Sequence, residues 1–166
     1  IMAKINWKEW FIYICILVGT IFVCKCVLFF GIVPSGSMVP TIQEGDIIVG
    51  SRLNTETIER YDVIIFRYPD DPSQYFVKRV IGLPGETVEV RNGVVYVDGE
   101  KMRDNFVAEL SYDSGTYIVP EGSFFDMGDN RNNPNDSRYW DNKYVGEDMI
   151  LAKAKCVLWH EFREIK

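Results

Sequence analysis

The chain changes its rhythm once. From Trp10 to Cys24 every position is apolar or small apart from one Thr, and after Lys25 the apolar run resumes over residues 26–33. That length suffices to cross a hydrocarbon core of about 30 Å as a helix, so a transmembrane helix is predicted over 10–31. Trp7, Trp10 and Tyr13 stand where interfacial aromatics collect, and Lys25, late in the run, can extend its ammonium to the interface. The run is too long for a removable secretory signal, and no small-x-small site with a polar boundary follows it; it reads as an uncleaved anchor. Lys4 and Lys8 precede it. By the positive-inside rule residues 1–9 are cytoplasmic and residues 32–166 form the body outside the membrane. Met2 reads as the natural start.

Beyond Pro34 the period falls to two. Short β-branched runs at 46–51, 62–66 and 75–81 are separated by turn residues, and 118–119, 124–127 and 151–159 are later strand candidates. Asn92-Gly93 between 87–91 and 94–97 is a strong hairpin signal, because both turn positions need positive φ, and Asp98-Gly99 marks a second tight turn. Only 54–60 and 146–149 read as helical turns, and 99–115 reads as a loop or insertion. The pattern predicts a mostly β body of antiparallel sheets, barrel-like or sandwiched, behind one N-terminal transmembrane helix.

Charge sharpens this division. Residues 1–30 carry +2, which leaves −8 on residues 31–166 out of a net −6. An acidic body argues against phosphate-led nucleic-acid binding. Of the four cysteines, Cys15, Cys24 and Cys26 lie in the apolar segment. Cys156 alone belongs to the body, so no internal disulfide forms there, and no C-x-x-C metal pattern exists. No metal, nucleotide or other cofactor is suggested.

Candidate chemistry begins at Ser35-Gly36-Ser37-Met38, between Pro34 and Pro40. A serine on a rigid bend with free backbone N–H groups suits a nucleophile beside an oxyanion hole, although local composition alone favours a linker. The nucleophile needs a base. His160, the one histidine, sits on a terminal strand and reads as an edge residue. Lys78 lies in Tyr75-Phe76-Val77-Lys78-Arg79-Val80-Ile81, where alternation puts it on one face with Phe76 and Val80. A lysine desolvated there becomes a neutral base; a lysine whose stem merely covers apolar surface has the same pattern. Asp129-Asn130-Arg131 and Asp136-Ser137-Arg138 form a polar cluster that reads as a carboxylate–guanidinium lattice or as a solvated loop. Cys156, in the run 154–158, reads as a core thiol.

Taken together and in order, these segments resemble the bacterial type I signal peptidases in their short, Gram-positive-like form. Residues 34–41 resemble the nucleophile box, 45–46 and 61–66 the next two strand boxes, 78–86 the base box, and 128–131 with 136–138 the final box. The resemblance implies a membrane-bound serine endopeptidase with a Ser37–Lys78 dyad that removes signal peptides after small-x-small (Ala-x-Ala) motifs. It implies that the Ser37 N–H and the Ser35 hydroxyl hold the oxyanion. Met38, Ile42, Phe76 and Val77 would line the pockets for the small residues. Arg79 and Asp129 would form a supporting ion pair, with Asp136, Ser137 and Arg138 bracing the base. The implied partners are signal peptides of exported preproteins, the lipid bilayer and the secretion translocon, with no nucleic acid. Two positions depart from the family pattern: Tyr61 stands where Gly is usual, and Pro134 where many members carry a Ser that gives the base lysine a hydroxyl. Lys78 is then left to Ser37, Ser137, a carbonyl or water for its orientation.

Other functions make distinguishable claims. A self-cleaving LexA-like repressor would need a helix-turn-helix and an Ala-Gly bond, and the chain has no Ala-Gly pair. A sortase-like transpeptidase would need a reactive Cys. A catalytically inactive, membrane-tethered β-module would bind exported peptides without turning them over.

Overall fold

The apolar run folds as expected at its start and departs at its end. In the computed structural model, which describes residues 6–108, 111–133, 135–158 and 162–165, helix α1 (Trp7–Phe22) is capped by Asn6, whose side chain accepts the Lys8 N–H. It continues through a π-helical turn, Val23–Val27. Trp7–Val27 is 21 residues long, with a mean hydropathy of 2.2 in its most apolar stretch and no side chain buried against the body. It is long and apolar enough to cross a membrane.

The helix stops at Val27 and not at residue 31. Leu28–Ile32 is strand β1, paired in register with β2 (Ile47–Ser51) from Leu28↔Ser51 to Ile32↔Ile47. A run of Leu, Phe and Ile satisfies either periodicity, and here the free edge of β2 decides it by offering a ladder partner.

The body continues with β3 (Val63–Tyr68), β4 (Asp71–Gly82), β5 (Thr87–Arg91), β6 (Val94–Val97), β7 (Glu100–Lys101), β8 (Gly115–Ile118), β9 (Ser123–Met127), β10 (Val145–Gly146), β11 (Ile150–Val157) and β12 (Arg163–Glu164). The larger sheet runs β1-β2-β11-β3-β4-β9-β10, with β12 added to β11; the smaller runs β7-β6-β5-β8. All pairings among the described residues are antiparallel. The larger sheet ends on β1 and β10, so the predicted barrel-like character does not extend to a closed barrel.

The β5–β6 hairpin has the expected left-handed turn, with φ 49° at Asn92 and 81° at Gly93. Any Cβ on Gly93 would stand 1.8 Å from the Ser111 carbonyl oxygen, so the glycine is also demanded by packing. Residues 54–60 form turns and not a helix: Asn54 adopts φ 60° and the Thr57 carbonyl accepts from Lys153 Nζ at 2.5 Å. That long-range bond outweighs the weak local preference.

The central strands are buried on both faces. Ile65 and Val77 pack with Val33, Met38, Ile42 and Val157 on one side, while Ile64, Phe66 and Val80 pack with Phe124 and Trp140 on the other. A third cluster, around Ile81, Val88, Val97 and Phe125, joins the two sheets. These layers hold β4 rigidly, and β4 carries Lys78.

Candidate active site

Ser37 occupies a 3₁₀ turn, Gly36–Met38, between β1 and β2. The turn is anchored from below by Met38 and Ile42, both fully buried, and the Ile42 N–H donates to the Met38 carbonyl. It is pinned from the side by Asn130. The Asn130 N–H donates to the Ser37 carbonyl at 3.1 Å, and its Nδ2 donates to the Gly36 carbonyl at 3.1 Å. Gly128 lies against the same carbonyl so closely that a Cβ would stand 2.5 Å from the Ser37 oxygen.

Lys78 reaches this turn from β4, where it pairs with Ile64 of β3 and shares a face with Phe76 and Val80. Its Nζ is 2.6 Å from Ser37 Oγ and 5.4 Å from the centre of the Phe76 ring. Both side chains are nearly sealed, Ser37 at 3% and Lys78 at 2% exposure. Burial pushes the Lys78 ammonium down from 10.5 to about 8, against the opposing pull of Asp136, Asp126 and Asp129. A substantial fraction of the amine is therefore neutral near pH 8 and can take the Ser37 proton. Ser35 Oγ lies 3.5 Å from Ser37 Oγ, and Ser35 is exposed.

Around the Ser37–Lys78 pair stand two forked ion pairs. Arg79 points to the opposite face from Lys78 and grips Asp129 with Nε at 2.8 Å and Nη2 at 2.7 Å. Arg79 Nη1 also donates to the Tyr61 carbonyl, and Thr41 Oγ1 donates to Asp129 Oδ2 at 2.5 Å, which ties the segment that follows Ser37 to the same carboxylate. Arg138 grips Asp136 with Nε and Nη2, each at 2.9 Å, and extends Nη1 to Ser111 and Asp113. Asp136 Oδ2 in turn accepts the Gly128 N–H at 3.1 Å. Ser137 sits between these pairs. Its Oγ accepts the Asp126 N–H and its own N–H donates to the Asp126 carbonyl, so it fastens the loop to β9. The lattice reading of 128–139 holds, since Asp129, Asp136 and Arg138 are all buried.

A cavity of about 230 Å³ opens over Ser37 and Lys78, between the residues before the turn and β4, lined by Pro34, Ser35, Ser37, Gln74, Val77 and Lys78 among others. A second, apolar one of about 350 Å³ continues from it along β1, over Phe29, Ile48, Ile65, Phe76 and Val77. Phe76 and Val77 thus line both cavities. Met38 and Ile42 are not on either wall; they lie in the core beneath, packed with Val33 and Ile65.

Residues 5–159 match the family model described as "Signal peptidase, peptidase S26". The chain belongs to this signal peptidase family. Among curated relatives, it is 42% identical over 132 residues to a probable signal peptidase I-1 of Synechocystis, covering 74% of this chain and 66% of that protein. It is 33% identical to signal peptidase I of Pseudomonas aeruginosa, covering 71% and 57% respectively. With signal peptidase I of Bacillus amyloliquefaciens the identity is 35%, over 81% of this chain and 77% of the relative. The crystal structure of a signal peptidase I from Enterococcus faecalis superposes with a TM-score of 0.53 at 32% identity, covering 58% of this chain and 96% of that one. The chain spans slightly less than two thirds of the length of the cyanobacterial relative and 57% of the pseudomonad one.

Against the family pattern, the departure at Tyr61 has a backbone consequence. Tyr61 adopts φ 73°, a conformation that glycine accepts without strain. It is held there by its carbonyl bond to Arg79, its hydroxyl bonds to Met102 Sδ and the Arg103 N–H, and its ring against Phe106. Pro134 and His160 lie outside the described residues. Cys156 is half-buried on β11, opposite Val49 and Glu164. Sequence reasoning overlooked Thr41, Gly128 and Asn130 as supports of the Ser37 turn. Their roles arise across about 90 residues of chain, although their places inside the recognised boxes were an available signal. It also overlooked Asp126, which is fully buried on β9.

Proposed function

We propose that the chain is a membrane-tethered endopeptidase that removes signal peptides from exported proteins by a Ser37–Lys78 dyad. The observation that carries this reading is the 2.6 Å approach of a buried lysine amine to a buried serine hydroxyl, in a chain of the signal peptidase family.

The reaction follows from that approach. Neutral Lys78 takes the Ser37 hydroxyl proton as Oγ bonds to the scissile carbonyl carbon. The resulting oxyanion is met by the Ser37 N–H and the Ser35 hydroxyl, the hydroxyl flanking Oγ. The Lys78 ammonium then gives its proton to the leaving amine and the C–N bond breaks, leaving an acyl ester on Ser37. Water, deprotonated by the regenerated amine, releases the ester in the same way.

The substrate is read in extended form between the β1–turn segment and β4, in the manner of an added strand. The cavity over Ser37 is small and bounded by Val77 and the dyad, which suits a small side chain next to the scissile bond. The adjoining apolar cavity accepts the next inward-facing one. With the apolar helix in the bilayer from Trp10 on and residues 1–9 on the cytoplasmic side, the catalytic body faces outward, close to where an exported signal peptide is held.

Incubation of the purified chain, in detergent or lipid, with a preprotein carrying an Ala-x-Ala site tests the reading beside Ser37→Ala and Lys78→Ala. Cleavage by the parent alone is expected. Equal cleavage by all three, or binding of the peptide without cleavage by the parent, refutes it.

A further inference from the structure

Asp126 is a carboxyl group with no structural employment. It is fully buried, and both its oxygens lack a hydrogen-bond partner among the described residues. Its neighbours are apolar: Phe124 on its own strand and Val80 directly across on β4, both in the cluster with Ile64, Phe66 and Trp140. An acid in such a place costs stability unless something uses it. Its backbone is fixed on both sides by Ser137, so the carboxyl cannot easily leave.

What shares this face is the base. Val80 pairs with Asp126, and Lys78, two residues back along β4, projects to the same side, on the diagonal that long side chains span. Three acids act on the Lys78 amine: Asp136, Asp126 and Asp129. Asp136 is held by both arms of Arg138 and Asp129 by both arms of Arg79. Asp126 alone of the three has no cation bonded to it in the described residues. Among the described residues, the amine hydrogen-bonds to Ser37 Oγ alone.

We propose that Asp126 is a positioning residue for the base: its carboxylate steadies the Lys78 ammonium that forms as Ser37 gives up its proton. The inference rests on the dyad reading above. In the step itself the Ser37 O–H bond breaks and an Nζ–H bond forms, and Asp126 makes no covalent change. Delivery of that proton to the leaving amine restores the neutral lysine beside the acid. Burial lifts the Asp126 acid well above the usual carboxylate range, with Lys78 pulling it down and Asp136 pushing it up. The two groups therefore titrate as a unit. Removing the carboxylate leaves the amine with burial and the two arginine-paired acids, so the neutral lysine persists to lower pH.

The test uses Asp126→Asn, which keeps the shape, and Asp126→Val, which suits the apolar surroundings, in the full chain. Lys78 is titrated by the NMR shift of its labelled side-chain nitrogen, assigned with Lys78→Met, and kcat and KM are followed against pH on a preprotein. The Lys78 titration is expected to fall by about one pH unit in both variants. The acidic limb of kcat/KM should move with it, and kcat on the alkaline plateau should fall with KM unchanged. Asp126→Val is also expected to melt at or above the parent temperature. An unmoved Lys78 titration overturns the proposal, as does loss of folding in both variants, which would make the carboxyl structural. A titration that shifts in both variants while the parent cleaves nothing upholds the coupling of Asp126 to Lys78 and refutes the peptidase reading instead.

Discussion

Gly128→Ala should disable the enzyme although both Ser37 and Lys78 are kept. The added Cβ would begin 2.5 Å from the Ser37 carbonyl oxygen, a backbone atom and not the yielding end of a side chain. Ordinary contact begins near 3.4 Å, so a gap of about 0.9 Å must open between the start of the 128–138 loop and the nucleophile turn. That displacement also draws on the two Asn130 bonds, to the Gly36 and Ser37 carbonyls, each 3.1 Å long at rest. A misplacement near 1 Å at a reacting centre costs on the order of a hundredfold in rate. The expected result is a kcat about a hundred times below the parent with KM changed little, because the cavity walls on β4 do not move. Gly99→Ala provides the control: Gly99 also has positive φ, at 84°, yet an added Cβ there meets nothing within 4 Å. It should lose stability and keep its rate. Steady-state cleavage of a preprotein, with melting curves for both variants, decides the matter. A Gly128→Ala enzyme within threefold of the parent kcat would show that the turn is not held by this contact.

Two further outcomes follow from the buried charges. Asp129→Leu takes from the Arg79 guanidinium, sealed at 1% exposure, the carboxylate that its Nε and Nη2 both grip, which should cost about 3–5 kcal/mol in chemical denaturation, whereas Arg79→Met with Asp129→Leu should recover most of it; equal losses in the single and double variants would refute this coupling. The unfolded chain protonates Lys78 below 10.5 and the folded one only below about 8, so parent stability rises with pH between those values and carries the full penalty, about 3 kcal/mol, below pH 8. Lys78→Met should therefore be more stable than the parent at pH 7, by a margin that closes as the pH approaches 10.5, and a pH-independent difference would sink the argument.

The parts of this molecule that sequence alone made legible are those fixed by local chemistry. Asn92-Gly93 determined a hairpin whose two strands end where expected, because a two-residue left-handed turn admits few alternatives. Alternation along β4 placed Lys78 with Phe76 and Val80, because a strand buried on both faces leaves no freedom of register. Where the outcome depended on a distant partner, the reading slipped. Leu28–Ile32 became strand because β2 offered an edge, and 54–60 lost its helical turn to Lys153, nearly a hundred residues away. Met38 and Ile42 went beneath the cavity because the core around Val33 needed filling. Asp126 was invisible for the opposite reason. It stands in a run of buried residues, Phe124 to Met127, where alternation reports burial but not the polarity that a function can require.

The passage from helix to sheet has a mechanical meaning. No flexible linker separates Val27 from Leu28: the π turn ends in β1, the Arg52 N–H donates to the Val27 carbonyl, and Arg52 Nε donates to the Leu28 carbonyl. Strand β1 is about 17 Å of stiff strut, and its far end delivers the chain to Ser37. With the helix seated in a bilayer, the molecule becomes a caliper, one jaw in the lipid and the other a serine at a set distance from it. A bond presented at the wrong height would escape cleavage whatever its side chains, so the site in a preprotein would be chosen by measurement as well as by fit.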